Sequence, residues 1–121
     1  MKNNKIIINT ENKQNKVKLV KSHMTNLVKQ ILISKKIYYS EINLIFVDNK
    51  KIKNLNKRFL KRNKNTDVIT FSYTKSIKFP KERGLLGEIF ISTEQAKKQA
   101  VRFNNSLSKE IDTLVVHGIL H

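Results

Sequence analysis

The chain has 121 residues, of which 39% are hydrophobic and 28% are charged. This balance is typical of one soluble globular domain and excludes a largely disordered chain. The absence of cysteine excludes a disulfide-linked partner and a thiolate metal site, and it fits a reducing cytoplasm. The longest apolar run, Leu44 to Val47, is far shorter than the roughly 20 residues of a membrane span, and no secretory signal is visible. We therefore expect a cytoplasmic protein without membrane contact.

Positive charge is the strongest compositional signal, with 25 Lys and Arg against 9 Asp and Glu and a net charge of +16. The segment Lys50–Lys64 carries eight positive charges and no negative one. Such a field attracts phosphate backbones and releases their counterions on binding. An A+T-rich genome is the other explanation, since 21 of the basic residues are lysine and the chain has 14 asparagines and 15 isoleucines. Both explanations remain open.

The first half of the chain alternates between strand and helix patterns. Three consecutive isoleucines predict a strand over Lys5–Asn9, and apolar residues at helical spacing predict a helix over residues 18–34. The β-branched run Glu41–Val47 predicts a second strand. Asp48 then stands at an N-cap position of a second helix. The buried face of that helix is predicted at i, i+3 and i+7: Ile52, Leu55 and Phe59.

Two further strands are predicted over Asp67–Tyr73 and Leu85–Ser92. The polar loop Lys75–Gly84 between them is short enough for a hairpin. Gly87, inside the fourth strand, indicates a bulge or a close approach of backbone.

Two helices are predicted to complete the chain. Ser92 and Gln95 form a capping box for a helix over residues 93–103, which the pair Asn104-Asn105 ends. Ser106 or Ser108 begins the last helix, and its buried stripe is predicted as Ile111, Leu114, Val115 and Ile119. The order β-α-β-α-β-β-α-α predicts an α+β fold, in which a small mixed four-stranded sheet packs with about four helices.

Two histidines, His117 and His121, stand four residues apart on the predicted last helix. This spacing places both imidazoles on one helix face about a turn apart, so that both can reach one metal ion. The zincin peptidase motif has a glutamate base after its first histidine, whereas this chain has Gly118. We expect this glycine to leave room for substrate or water beside the helix. Taken alone the pair is a weak signal, because such histidines are more often partly solvated packing residues.

Four stretches give this pair a context: LNKRF (Leu55–Phe59), TDVITF (Thr66–Phe71), GEIFIS (Gly87–Ser92) and VHGILH (Val116–His121). In order and approximate spacing they resemble the YbeY family of bacterial endoribonucleases, the rRNA maturation factors. The resemblance covers residues 40–121 and treats residues 1–121 as one domain. It implies an α+β fold with a metal site on the last helix, one bound zinc ion and hydrolysis of single-stranded RNA. The expected target is the 3′ end of the 16S rRNA precursor in the small ribosomal subunit.

The resemblance also implies site residues. His117 and His121 match the first two zinc ligands of the family motif. The third histidine, six residues after the second, is expected beyond the end of this chain, so we expect a domain that is C-terminally incomplete relative to the family. Leu60 stands where many members carry an arginine thought to serve catalysis, and Arg62, two residues on, is our candidate for that role. Glu88 stands where the family usually has aspartate.

Basic side chains are predicted to hold the phosphates that flank the cleaved bond: Lys57, Arg58, Lys61, Arg62 and Lys64. Phe71 or Tyr73 is a candidate for stacking on a base, although strand alternation favours a core position for Phe71. Asp67 is expected to cap a helix or pair with a lysine, and His23 to pack at the surface. The alternative hypothesis is a non-catalytic RNA- or ribosome-binding module with a degenerate metal site.

Overall fold

The computed structural model describes residues 5–62, 66–73 and 84–120. Within these ranges four strands and four helices follow one another in the predicted order. The strands are β1 (Lys5–Asn12), β2 (Tyr39–Val47), β3 (Val68–Ser72) and β4 (Gly84–Ser92). The helices are α1 (Lys21–Ser34), α2 (Asn49–Leu60), α3 (Thr93–Arg102) and α4 (Leu107–Leu120). In this described part of the chain, no helix combines the length and the apolar character that crossing a membrane requires.

The four strands form one mixed sheet in the order β1-β2-β4-β3. The strands β1, β2 and β4 are parallel, and β3 pairs antiparallel with β4. The predicted α+β fold and hairpin are thereby confirmed, although residues 75–83 of the predicted loop lie outside the described ranges. A Cβ added at Gly87 would lie 2.8 Å from the carbonyl oxygen of Phe71, which confirms a close approach of backbone.

Side chains begin the helices at the positions that the sequence indicates. The Asp48 carboxylate accepts a hydrogen bond from the Lys51 backbone N–H at 2.8 Å, and Ser92 Oγ accepts one from the Gln95 N–H at 3.1 Å. Ser106 Oγ accepts from the Lys109 N–H at 3.1 Å. Each oxygen satisfies a donor that a helix end otherwise leaves unpaired. Of the two serines proposed for α4, the cap is therefore Ser106.

Both faces of the sheet are covered, and by different helices. The larger core packs α1, α3 and α4 against one face and includes Val28, Leu44, Phe46, Ile91, Ala96 and Val115. The smaller core packs α2 against the other face and consists of Ile45, Val47, Ile52, Leu55 and Ile69, with Phe71 and Phe90 beside them. Because neighbouring strand residues point to opposite faces, β3 contributes to both cores.

Phe59 is not part of the buried face of α2, so that prediction is wrong. Its side chain is 54% exposed, whereas Asn56, on the same helix, is 2% exposed. Phe59 lies in the last turn of α2 beside β3, which forms the edge of the sheet. Among the described residues, its ring contacts the ring of Phe71 edge-on at 5.5 Å between centroids, and the Arg58 guanidinium lies 5.4 Å from its centre. The described part of the sheet has no strand beyond β3 that could cover the rest of the ring.

Candidate active site around His117

The helix α4 is fixed by its buried stripe and presents His117 on its exposed side. The predicted stripe is confirmed, since Ile111, Leu114, Val115 and Ile119 are all buried. The last described residue of this helix is Leu120, so His121 lies outside the described residues. The structure therefore places the first predicted zinc ligand and leaves the second as a prediction.

His117 lines two depressions in the surface, and Asp67 lines both of them as well. The smaller has a volume of about 290 Å³ and extends over Val68, Thr70 and Gly118. The larger has a volume of about 420 Å³ and extends toward the end of α3 and the start of α4. An imidazole and a carboxylate thus stand at the boundary between two places where a substrate chain can lie.

Asp67 is held in place by α3 and β4. Its side-chain Oδ2 accepts a hydrogen bond from Gln99 Nε2 at 3.3 Å, and its backbone oxygen accepts from the Ser92 N–H at 2.9 Å. The predicted helix cap or lysine partner is wrong for the described residues, because the partner of this carboxylate is the Gln99 amide. The hydrogen bond keeps the carboxylate beside His117.

Gly118 serves packing, and it also lines the smaller depression, where the sequence led us to expect room. A Cβ at this position would lie 2.6 Å from Ile89 Cγ2 and 3.3 Å from Val68 Cγ1. The hydroxyl of Thr70 also donates to the Gly118 carbonyl oxygen at 3.2 Å. The glycine thus lets α4 lie directly on β3 and β4, which sets the height of His117 above the sheet.

The helix α2 carries the dense positive charge. Its exposed cations, with those that follow its last residue, are Lys50, Lys51, Lys53, Lys57, Arg58, Lys61 and Arg62. None of them forms an ion pair with another described residue. Lys64, the remaining predicted RNA-binding residue, lies outside the described ranges. Cations without acidic partners remain available to the phosphates of a polyanion.

The basic helix and His117 lie on opposite faces of the sheet. On β3, Val68 and Thr70 face α4, whereas Ile69 and Phe71 face α2. The Arg62 N–H donates to the Asn56 carbonyl oxygen of α2 at 3.2 Å. The predicted catalytic Arg62 is thus on the α2 side of the sheet. Among the described residues that line the two depressions there is no lysine or arginine.

Three further candidate residues make packing or hydrogen-bond contacts within the fold. Phe71 is half-buried and makes edge-on contacts with Phe59 and Phe90, as expected for a packing residue. The Tyr73 hydroxyl donates to Glu88 Oε1 at 2.7 Å, and this bond, with desolvation and the negative charge of Glu88, raises the pKa of Tyr73. His23 Nε2 lies 3.0 Å from Asp112 Oδ1 at the surface, in agreement with the predicted surface role.

Three residues that the sequence did not indicate also line the larger depression: Gln99, Phe103 and Glu110. Glu110 and His117 are seven residues apart on α4, which places them on one helix face two turns from each other. That spacing was the signal in the sequence from which the place of Glu110 beside His117 could have been predicted. Gln99 and Phe103 belong to α3 and its C-cap, and only the packing of α3 against α4 brings them to the site.

Comparison with known proteins shows which family this chain is similar to. The sequence model of the family described as Endoribonuclease YbeY matches residues 8–121 of this chain. The chain belongs to this family. The YbeY assignment agrees with all four motifs, and His117 lies within the part of the chain that matches.

Several named YbeY endoribonucleases are similar in sequence. The one from Syntrophus aciditrophicus is 37% identical over 110 residues, which are 91% of this chain and 69% of that protein. The one from Elusimicrobium minutum is 43% identical over 84 residues, which are 67% of this chain and 56% of that protein. The one from a Sulfurihydrogenibium species is 35% identical over 118 residues, covering 98% and 75%. The match thus spans just over half to three quarters of these relatives.

A solved structure supports the fold. The solution structure of TM1509 from Thermotoga maritima superposes with a TM-score of 0.66 at 28% sequence identity. The superposition covers 95% of this chain and 71% of that protein. The overall fold of this chain is therefore similar to that of a protein of known structure.

Proposed function

We propose that this YbeY family protein is a zinc-dependent, single-strand-specific endoribonuclease of the cytoplasm that matures the 3′ end of 16S rRNA during ribosome biogenesis. One observation carries the proposal: His117 is exposed beside Asp67 at the boundary of two depressions, in a chain whose named relatives are endoribonucleases. The net charge of +16 supports RNA as the substrate.

The donor chemistry of the site fits zinc, which binds imidazole nitrogen readily. His117 is exposed, and the four-residue spacing predicts that His121 falls on the same helix face, one turn further along. In the described ranges, no three histidine, cysteine, aspartate or glutamate side chains gather around a common point. His121 and the expected third histidine are therefore part of the proposal. When bound, zinc polarises a phosphoryl oxygen and makes water available as a nucleophile near neutral pH.

The remaining roles fall to the chain itself. Asp67, fixed by Gln99, can accept a hydrogen bond from an attacking water and orient it toward the phosphate. The cations Lys57, Arg58, Lys61 and Arg62 hold phosphates of the same strand on the α2 side, away from the cleaved bond. An RNA that meets both faces must bend around β3. A single strand can follow this corner, whereas a duplex resists bending over distances on the order of 150 base pairs, the persistence length of DNA.

The proposal is tested with one oligoribonucleotide presented either single-stranded or paired with its complement. We expect zinc-dependent cleavage of the single strand alone, inhibition by a chelator and recovery when zinc is restored. His117→Ala should lower cleavage by about 100-fold or more, since removal of a metal ligand disables the centre. His23→Ala is the matched control because it removes another exposed histidine, and it should leave cleavage unchanged. Chelator-resistant cleavage by His117→Ala would refute the assigned centre.

A second candidate, a non-catalytic RNA- or ribosome-binding module, is favoured by the separation of the α2 cations from His117. It predicts that the protein binds the same RNA but fails to cleave it at any zinc concentration. RNA binding without cleavage in a protein shown by mass spectrometry to hold no zinc, even after incubation with zinc, would establish this alternative. Cleavage by the wild type would exclude it.

A further inference from the structure

The larger depression beside His117 has an unusual lining for so basic a protein. Two carboxylates line it, from Asp67 and Glu110, together with the amides of Gln99 and Asn105 and the ring of Phe103. No lysine or arginine is among its described lining residues. A phosphate would meet acceptors of its own sign here, so the depression is not suited to the RNA backbone. It suits a flat, neutral group that carries N–H donors.

Phe103 is presented by a rigid helix end. Asn104 adopts the left-handed conformation with φ of 55°, and the Asn105 N–H donates to the Ala100 carbonyl oxygen at 2.9 Å. With the bond from the Asn104 N–H to the Val101 oxygen at 3.3 Å, this is a Schellman motif. The Phe103 side chain is 58% exposed, and the Arg102 guanidinium lies 5.7 Å from the centre of its ring. A fixed and exposed aromatic ring is the usual platform for base stacking.

Glu110 supplies the second observation. The residue is 5% exposed, and no hydrogen bond or ion pair joins its side chain to any described residue. Its carboxylate oxygens are not among the fully buried, unpaired polar atoms of the described residues, so they open onto the depression that Glu110 lines. Its place in the first turn of α4 suits this charge, because the helix N-terminus favours negative charge. The carboxylate is thus able to accept hydrogen bonds from a ligand in the depression.

We infer that this depression is a nucleobase subsite, which takes one base of the RNA strand next to the cleaved phosphate and prefers guanine. The inference rests on the proposed function. The volume of about 420 Å³ falls within the range of roughly 300–1,000 Å³ typical of small-ligand sites. Guanine offers two adjacent donors, N1–H and the N2 amino group, to one carboxylate while its face lies on Phe103. Uracil offers a single N–H flanked by two carbonyl oxygens, which a carboxylate repels.

The test uses three heptameric oligoribonucleotides of uridine whose central nucleotide is guanosine, uridine or abasic. Their affinities for the full chain are measured by fluorescence anisotropy with a chelator present, so that no cleavage interferes. We expect the guanosine probe to bind about fivefold to a hundredfold tighter than the abasic one, the range typical of base stacking. Phe103→Ala should remove this difference, and Glu110→Gln should bring the guanosine and uridine probes close together.

Two variants guard against a merely structural explanation. Phe103→Trp keeps a stacking surface and should retain the preference for guanosine over the abasic probe. Phe59→Ala removes another exposed ring that has an arginine 5.4 Å from its centre, but on the other face of the sheet, and it should leave the ratio unchanged. Thermal unfolding of each variant shows whether the fold is intact.

Each outcome decides between the claims. Wild-type protein that binds all three probes equally would overturn the subsite while leaving RNA binding in place. A lower unfolding temperature for Glu110→Gln with an unchanged guanosine-to-uridine ratio would assign Glu110 to the stability of α4 alone and overturn its part in recognition. Failure to bind any probe even at low salt would instead count against the proposed function itself.

Discussion

Gly118 fixes the distance between α4 and the sheet, and this makes a prediction about stability. Gly118→Ala places a methyl group 2.6 Å from Ile89 Cγ2, a branched position that cannot swing away. Overpacking of this kind costs about 1–3 kcal/mol, and over most of that range the cost is greater than the gain of about 1 kcal/mol in helix propensity. We therefore expect a lower free energy of unfolding, measured by urea denaturation.

The control is Thr113→Ala, at an exposed position of the same helix, for which we expect a change below about 1 kcal/mol. Ile89→Ala removes the methyl group that Gly118→Ala would meet. The cost of Gly118→Ala should therefore shrink in the Ile89→Ala background. An alanine at position 118 that raises stability would show that α4 can move away from β4 at little cost.

The hydrogen bond from Tyr73 to Glu88 predicts a pH effect. Because this bond raises the pKa of Tyr73 above its ordinary value of 10.0, its contribution to stability is complete below that value and is lost as the pH rises through the higher folded-state pKa. A spectrophotometric titration of tyrosinate should show one late-titrating tyrosine. In Glu88→Gln that late component should move back toward 10.0. An identical titration curve would contradict the hydrogen bond.

Glu94 joins three elements at one carboxylate. It lies in the first turn of α3, accepts from the Asn49 N–H at 2.9 Å at the start of α2, and accepts from Lys16 Nζ at 3.2 Å in the segment between β1 and α1. The Asn49 N–H and then Lys16 lower the pKa of Glu94 below 4.5. The ionised form is thus the one that stabilises the fold.

We expect Glu94→Gln to lower the free energy of unfolding at pH 7 by about 1 kcal/mol, the size of a hydrogen bond to a charged group after partial solvation. The pKa of Glu94 is lower in the folded state than its ordinary value of 4.5. The stability difference between the wild type and Glu94→Gln is therefore present above pH 4.5 and disappears as the pH falls through the folded-state pKa. Urea denaturation at neutral and acidic pH measures it. Glu11→Gln, which loses only an exposed 3.5 Å ion pair with Lys13, should have little effect. An equal loss in both variants would refute the special role of Glu94.

The sequence predicted what depends on neighbours along the chain. The caps at Asp48 and Ser92, the strands and the buried stripe of α4 are local, because a side chain bonds or packs within a few residues of itself. The position of β4 between β2 and β3 is not local. The placement of α2 opposite α4 is not local either, and it is why the exposure of Phe59 was not foreseen.

The same distinction holds for the candidate site. The spacing of His117 and His121 is readable on one helix, and so the metal-binding hypothesis came from the sequence. The hydrogen bond between Asp67 and Gln99 joins residues 32 positions apart. Nothing in the local pattern indicated that pairing, and a lysine partner was the natural expectation in so basic a chain.

At the scale of the whole molecule, the charge predicts how RNA binding depends on salt. Contacts with about four to eight phosphates should give a steep linear fall of log affinity with log salt concentration. Reversing the charge at Lys57, Arg58 and Lys61 to glutamate should weaken binding to all RNA sequences alike. Anisotropy titrations at several salt concentrations measure both effects.

A second triple reversal separates the α2 surface from net charge alone. Lys18, Lys21 and Lys29 are exposed, and the latter two lie on α1. Their reversal changes the total charge by the same amount, so it should weaken binding far less than reversal on α2. Affinity that hardly responds to salt would mean that the lysines reflect genome composition rather than a binding surface.

The strand order has a consequence for how the chain folds as it is synthesised. The partners of β2 lie 34 residues before it on β1 and 45 residues after it on β4, so the centre of the sheet has a high contact order and closes slowly. While a ribosome is still making α2 and β3, β2 has one neighbour, an edge of unpaired backbone groups, and a face that bears Ile42, Leu44 and Phe46 and that α4 does not yet cover. During that interval mispairing with another nascent chain competes with folding. The arrival of β4 ends it, and α4, with His117, docks onto a sheet that is already complete.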